Sequence, residues 1–220
     1  MAFSTTGSAA WETSALERSL HSARARSMER SHRIVAAART LADESGSAGF
    51  TVAQVAERAG LSLKSVYRSF AGKDEILLAL LEEESGVGAG LLAPAIERHD
   101  GPIARVHAFI AGMFDFLTHP GAVGYAGVLV REDRRLAEHH PAELRTALAP
   151  LVDLLAAQIA GAVDDDVDVP RAADTVFAVV LDGIAEVTHG GADPATTAEW
   201  VVRFCAGGLG LERQDRRDRP

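Results

Sequence analysis

The sequence has one cysteine, few aromatic residues and no long apolar run. Cys205 has no second cysteine to pair with, which excludes an internal disulfide framework. No stretch reaches the ~18 apolar residues that a membrane-spanning helix needs. The N-terminal sequence MAFSTTGSAAWETSALERS lacks the basic start and continuous apolar segment of a secretory signal. We therefore expect a cytoplasmic protein with no membrane partner.

Motifs of common catalytic and cofactor sites are also missing. Walker, dinucleotide-binding and Gly-x-Ser-x-Gly sequences are absent. Glu-x-x-His pairs occur at 29–32 and 186–189, but their places in the chain argue against a shared metal site. The aspartates of 164–168 begin like a calcium loop, yet Val169 occupies the position of its required glycine. We expect no metal, no cofactor and no enzymatic activity. A helical metal- or small-molecule-dependent enzyme and a protein-interaction module are the alternatives.

The charge is unevenly distributed along the 220 residues. The whole chain has a net charge of -9 and a pI near 5.3. Residues 1–73 hold ten Lys/Arg and six Asp/Glu, whereas residues 74–220 hold twelve and twenty-five. A basic head on an acidic body is suited to binding nucleic acid at one end only.

The segment from Phe50 to Phe70 has the layout of a helix-turn-helix. Thr51 and Gln54 form a capping box, and an apolar stripe follows. Gly60 stands where a left-handed C-cap is needed, and Ser62 can cap a second helix. We expect that second helix to bury Val66 and Phe70 and to present its polar side chains to a DNA groove.

This segment resembles the DNA-binding domain of TetR-family transcriptional regulators from about Met28 to Leu81. The resemblance rests on the apolar stripe of 34–42, Phe50-Thr51, the run VAERAGLSLKSVYRSF and the Lys73-Asp74-Glu75 start of a long helix. The residues that it implies as DNA contacts are Thr51, Ser62, Leu63, Lys64, Ser65, Tyr67, Arg68 and Lys73. Ser69 departs from the family, whose members often have a larger polar residue there.

The expected fold is all-α, with a three-helix helix-turn-helix domain and a C-terminal helical bundle for ligand binding and dimerisation. We divide the chain into a flexible tail (1–26), the DNA-binding domain (27–73), the helical domain (74–210) and a charged tail (211–220). The arginines of 24–33 are either solvated charges or an arm that reaches DNA phosphates.

The helical domain is predicted to contain six helices. Prolines at first helical positions and glycine-rich breaks place them at about 74–97, 102–117, 122–138, 141–162, 170–189 and 194–208. The glycines of 86–90 are expected to loosen the first of these helices. The segment 164–170 is predicted to be a loop.

Homodimerisation is expected through the last two helices, because a helix-turn-helix reads half of a palindromic site. The apolar stripes predicted at the interface contain Val176, Val180, Gly183, Ile184, Val187, Val201, Cys205 and Leu209. The alternative is that both stripes bury into the core of the subunit itself.

A small-molecule effector is expected to bind between the helices of the body. The candidate lining residues are His107, Phe114, Tyr125, Leu129, Leu155, Phe177 and Leu181, for each of which core packing is an alternative. Their apolar bias favours an apolar or aromatic effector. The overall prediction is a ligand-responsive dimeric regulator, acting as a repressor that binds operator DNA.

Overall fold

The computed structural model describes residues 10–119 and 123–211, and within them the chain is helical with no strand. The helices are α1 (Ala10–Ser45), α2 (Val52–Arg58), α3 (Leu63–Tyr67), α4 (Lys73–Glu97), α5 (Pro102–Thr118), α6 (Val123–His139), α7 (Pro141–Ala160), α8 (Val169–Gly190) and α9 (Pro194–Leu209). None of the helices in the described residues is both long enough and apolar enough to cross a membrane.

The first three helices pack around a small apolar core. Ile34 and Ala38 of α1 are fully buried, as are Val55 of α2 and Val66 of α3. The first part of α4 contributes Ile76 and the leucines that follow it to the same continuous core. The long helix α4 therefore belongs to the head at its start and to the body along the rest of its length.

The N-terminal part of α1 differs from the predicted flexible tail. Residues 10–26 are helical and run without a break into the packed segment that begins at Ile34. No proline or glycine interrupts residues 10–45, and Ala, Arg, Glu and Leu are good helix formers. Once the packed segment is helical, extending it towards the N-terminus needs no new nucleation. Residues 1–9 of the predicted tail lie outside the described residues.

The body helices begin where the prolines predicted. Pro102, Pro141 and Pro194 are the first residues of α5, α7 and α9. Asp168 caps α8 by accepting the Arg171 N–H at 3.2 Å, which ends the predicted loop two residues early. Residues 120–122, where the predicted helices 102–117 and 122–138 meet, lie outside the described residues.

The glycines of α4 do not interrupt the helix, contrary to the expected loosening. Gly88 is buried, and a Cβ placed there would lie 3.1 Å from the Phe116 ring and 3.5 Å from Leu151. Gly88 therefore allows α5 and α7 to pack closely against α4. At the other end of the body, Leu211 is 1% exposed, so the predicted charged tail does not begin until after it. Residues 212–220 lie outside the described residues.

Candidate DNA-binding surface and effector clefts

Local hydrogen bonds hold the helix-turn-helix in the predicted geometry. The Gln54 N–H donates to Thr51 Oγ1 at 3.2 Å, and the Thr51 N–H donates to Gln54 Oε1 at 2.8 Å. Gly60 has φ of +63°, the left-handed conformation that favours glycine. Ser62 caps α3 by accepting the Ser65 N–H at 3.2 Å. The predicted capping box, turn glycine and N-cap are all confirmed.

The burial pattern of α3 separates a packed face from a free one. Val66 has no exposed surface and Phe70, just after the helix, is half-buried. On the opposite side Tyr67 is 52% exposed and Leu63 44% exposed. These two residues share the exposed surface with two cationic side chains, Lys64 and Arg68. The arrangement gathers hydrogen-bond donors and an aromatic ring on one short helix, as readout of a major groove requires.

Two serines complete this surface. The hydroxyls of Ser62 and Ser65 lie 2.9 Å apart, and Arg68 Nη2 lies 3.5 Å from Ser65 Oγ. We use the name reading face for the side chains of Ser62, Leu63, Lys64, Ser65, Tyr67 and Arg68. Thr51 is exposed at the start of α2, where its hydroxyl serves the capping box. The structure brings together on one short turn-and-helix segment six of the eight residues predicted to contact DNA.

Lys73 is placed differently from the other predicted DNA contacts. Its ammonium group donates a hydrogen bond to the Ala48 carbonyl oxygen and lies 5.2 Å from the centre of the Phe50 ring. Lys73 is the first residue of α4, and Ala48 and Phe50 lie between α1 and α2, so these contacts tie the start of α4 to the α1–α2 connection. Lys73 therefore braces the head, and a phosphate could use only the remaining N–H groups of its ammonium.

Two of the N-terminal arginines also have contacts within the head. Arg30 Nε donates to Ser69 Oγ at 3.1 Å, and Arg33 Nη2 donates to the Ala59 carbonyl oxygen at the turn. Both side chains therefore fix α1 against the helix-turn-helix. Ser69, the position that departs from the family pattern, accepts one of these hydrogen bonds. Arg24 and Arg26 are exposed on the preceding part of α1.

Comparison with known families decides what this head is. Residues 34–80 match the model of the bacterial regulatory proteins of the tetR family. The chain carries a TetR-family DNA-binding domain. The match covers α2, α3 and the packed part of α1, so the TetR domain contains the whole reading face. None of the curated proteins matches the sequence significantly.

Solved structures show that the similarity in fold extends beyond the DNA-binding domain into the helical body. A TetR transcriptional regulator from Rhodococcus sp. RHA1 is 16% identical with a TM-score of 0.66, over 81% of this chain and 94% of that one. FadR from Bacillus subtilis, solved with stearoyl-CoA, is 20% identical with a TM-score of 0.64, over 81% and 98%. RolR, solved with resorcinol, is 16% identical with a TM-score of 0.63, over 90% and 97%. The body of this chain therefore has the same fold as the C-terminal parts of these proteins.

A cluster of charged side chains joins the TetR domain to the body. Arg135 of α6 donates from Nη1 and Nη2 to the two carboxylate oxygens of Asp74, at 2.9 and 2.8 Å. Its Nε donates to Glu132 at 2.7 Å, and His140 Nε2 lies 3.3 Å from Asp74 Oδ2. The Arg135 hydrogen bonds lower the pKa of Asp74. Asp74 is in the first turn of α4, directly after the helix-turn-helix, so this cluster fixes the head end of α4 to the body.

The residues predicted to line an effector pocket do not form a single cavity. Leu129 and Leu155 have no exposed surface and belong to the core. Phe114 borders a cleft of 620 Å³ between α5 and α9, whereas Phe177 and Leu181 border a separate cleft of 290 Å³ between α6, α7 and α8. The side chain of Tyr125 lies outside the described part of the chain. The apolar periodicity of these helices identified their buried faces. Residues that line a pocket and residues that fill the core both lie on such faces, so the pattern could not separate them.

His107 is the polar exception among these residues. Its Nε2 is buried and has no hydrogen-bond partner among the described residues, and burial lowers the pKa of the imidazole. A buried polar atom that makes no hydrogen bond costs free energy. A hydrogen bond between this nitrogen and a polar group of a ligand would therefore be favourable.

The stripes predicted at the dimer interface are mostly core stripes. Val180, Ile184 and Val201 have no exposed surface, and Val176 and Cys205 are each 4% exposed. A Cβ at Gly183 would lie 2.9 Å from both Phe114 and Val201, so Gly183 serves the packing of α8 on α5 and α9 within one chain. Val187 and Leu209 are half-buried at the edge of this core. The alternative of burial within the subunit describes these residues correctly.

An aromatic pair that the sequence reasoning missed lies on the outer side of α9. Trp200 and Phe204 are 53% and 56% exposed, and their rings stack with centroids 5.3 Å apart. Gly207 and Gly208 continue the same side of the helix and leave open space above the backbone. Large aromatic side chains are uncommon on a free surface, and the spacing of four residues was the available signal.

Proposed function

We propose that the protein is a dimeric transcriptional repressor that binds a palindromic operator and is released from it by a small organic effector. The reading face carries this proposal. It presents Lys64, Tyr67 and Arg68 on the helix that follows the turn of a TetR domain, while Val66 anchors that helix from behind. The acidic body would repel a duplex, so DNA contacts are confined to the head.

Two heads are needed for a palindrome, and the exposed side of α9 is the surface that best supports dimerisation. Packing Trp200 and Phe204 against a second copy would remove their exposed apolar surface from water, and this burial favours association. Tryptophan and other aromatic residues are also enriched at the centres of protein interfaces. A two-fold axis at α9 would present the two reading faces to successive half-sites of one operator.

An effector is favoured by the body fold and by the charged cluster at the start of α4. The proteins of similar fold were solved with stearoyl-CoA and with resorcinol, two organic molecules with apolar portions. The Asp74–Arg135 pair provides a route between body and head, since moving α6 relative to α4 changes the geometry of the bidentate hydrogen bonds. Typical couplings of ~1–3 kcal/mol correspond to a roughly 5–150-fold change in DNA affinity.

The test is genome-wide capture of DNA fragments bound by the full-length protein, followed by gel-shift titration of the recovered sites. We expect a palindromic site and saturable binding that is lost in a double variant of Lys64→Ala and Tyr67→Ala. The matched control is Arg145→Ala, which removes an exposed positive charge from α7. Capture of no specific fragment, or equal binding by the double variant, would exclude this function.

A further inference from the structure

A cleft of 570 Å³ lies where the TetR domain meets the body. Its walls come from α1 of the head and from α4 and α5. The residues that give the cleft its charge and shape are Arg39 and Asp43 of α1, Glu84 and Ala95 of α4, and Asp115 and Phe116 of α5. Neither this cleft nor its charged residues belong to the pocket that the sequence suggested.

The lining has an excess of negative charge. Three carboxylates face one guanidinium, and that guanidinium is already engaged. Arg39 Nη2 donates to Glu83 at 3.1 Å, and Arg39 Nε lies in ion-pair contact with Glu84. Among the described residues, neither Asp43 nor Asp115 forms an ion pair. Asp43 is exposed at the rim of the cleft, and partial burial of its carboxylate raises its pKa despite the opposing charge of Arg39.

Apart from His119, which directly follows α5, the remaining lining is apolar. Leu80 and Leu92 are buried at the base of the cleft, and Leu91 at its edge is 62% exposed. Phe116 adds an aromatic ring from α5. An occupant that matches these walls has an apolar body and a positive charge, because the charge compensates the carboxylates while the body covers the leucines. The volume is in the range of sites that hold drug-sized molecules, which is ~300–1,000 Å³.

We propose that this cleft binds a lipophilic organic cation and that such a cation is the effector. The effector role rests on the proposed regulator function, whereas binding at the cleft does not. Asp43 would contact the cation from the head, and Asp115 would contact it from the body. An occupant that touches both walls favours one angle between α1 and α5, and it therefore selects one orientation of the reading face.

Tetraphenylphosphonium is a suitable probe, with tetraphenylborate as an anion of similar size and shape. Calorimetry of the full-length protein should show one phosphonium site per chain and at least tenfold weaker binding of the borate. The double variant of Asp43→Asn and Asp115→Asn should bind phosphonium about tenfold more weakly or worse. The control variant of Asp100→Asn and Asp153→Asn removes the same charge from exposed positions elsewhere and should bind like the wild type. Filling the cleft with Ala95→Phe should also weaken binding.

A second arm of the experiment measures release of captured operator DNA by phosphonium. Release from the wild type and the control, but not from the Asp43/Asp115 variant, supports the effector role. Equal phosphonium binding by the Asp43/Asp115 variant and the control would overturn the site even if the protein binds DNA normally. Phosphonium binding at the cleft by a protein that retains no DNA would instead refute the regulator function and leave the site standing. Binding at the cleft without any loss of DNA affinity would overturn the effector role alone.

Discussion

Arg135 holds Asp74 through two hydrogen bonds of 2.8 and 2.9 Å across 61 positions of sequence. Arg135 is in α6, and Asp74 is in the first turn of α4, shortly after the helix-turn-helix. The pair therefore connects the body to the head end of α4. A guanidinium fork matched to both oxygens of a carboxylate fixes orientation as well as distance. The angle between head and body is therefore set in part by one side-chain pair.

The first prediction concerns the pH dependence of this pair. The pKa of Asp74 lies below its ordinary 3.8 because Arg135 donates hydrogen bonds to the ionised form. Its stabilising contribution is therefore complete above the ordinary pKa and is lost as the pH falls through the lowered value. Asp74→Asn should cost about 1 kcal/mol at neutral pH, a modest figure because both side chains are partly exposed.

Thermal unfolding of the wild type and Asp74→Asn at a series of pH values measures this effect. The difference in Tm between them should be largest at neutral pH and should shrink below about pH 4. Arg135→Lys should lower Tm nearly as much as Asp74→Asn, since lysine lacks the fork. A Tm difference that is constant with pH would contradict the assignment, and Asp153→Asn serves as the control.

The second prediction separates two residues of the reading face. Lys64→Ala should weaken operator binding and lower the salt slope of the binding constant by about one unit, as the loss of one phosphate contact does. Tyr67→Ala should weaken binding with little change in that slope, because it carries no charge. Fluorescence anisotropy at several salt concentrations measures both quantities. Slopes equal to that of Arg145→Ala for both variants would count against a phosphate contact by Lys64.

The third prediction concerns Lys73, whose ammonium is bonded to the Ala48 carbonyl. Lys73→Met should lower the free energy of unfolding by about 1 kcal/mol, the usual net value of such a hydrogen bond. It should leave the salt slope of operator binding close to that of the wild type. Denaturant unfolding and binding titrations on the same preparations distinguish the two roles. Normal stability with a slope lowered by one would show that Lys73 contacts a phosphate.

The fourth prediction concerns assembly. Replacing Trp200 or Phe204 by glutamate should give a folded monomer, since both side chains are more than half exposed in a single chain. Gly183→Arg should instead prevent folding, because even a Cβ there would lie 2.9 Å from Phe114 and Val201. Sedimentation and circular dichroism together separate the two outcomes. Trp11→Glu, at another exposed tryptophan, is the control, and a dimeric Trp200→Glu/Phe204→Glu variant would exclude this surface.

The fifth prediction uses the single thiol of the chain. Burial raises the pKa of Cys205 to about 11, so the thiol stays protonated near neutral pH and is shielded from reagents. Iodoacetamide at about pH 8 should therefore react far more slowly with the native protein than with protein unfolded in urea. Mass spectrometry gives a clear result because no other cysteine competes. Equal rates in the two states would show that the α8–α9 region opens readily.

Local signals in the sequence were sufficient for the head and for the starts of the helices. The capping box at Thr51, the turn at Gly60 and the prolines that begin α5, α7 and α9 act over one or two turns. The structure that these signals specify can therefore be predicted from residues that are close together in the sequence. Val66 and Tyr67 were assigned to opposite faces by helical periodicity alone, and their burial agrees with that assignment.

Contacts between distant segments could not be obtained in the same way. An apolar stripe such as that of Val180 and Ile184 shows that a face is buried, but it does not show whether the partner is the same chain or a second copy. The bond from Lys73 to Ala48 and the pairing of Arg30 with Ser69 depend on how helices pack in three dimensions. The cleft between α1, α4 and α5 draws its carboxylates from three separate helices.

The exposed part of α1 has a consequence for how firmly its backbone is held. From Glu17 to Glu29 every residue is solvent-exposed, so this stretch of helix receives little support from packing against the described residues. An unsupported helix is held only by its own hydrogen bonds and by its continuity with the packed turns at its C-terminal end. Amide hydrogen exchange should therefore rise steadily from Ile34 towards Ala10, one turn after another. The stability of the backbone hydrogen bonds therefore decreases along this helix towards its N-terminus. A partner that bound the N-terminal turns would slow amide hydrogen exchange there.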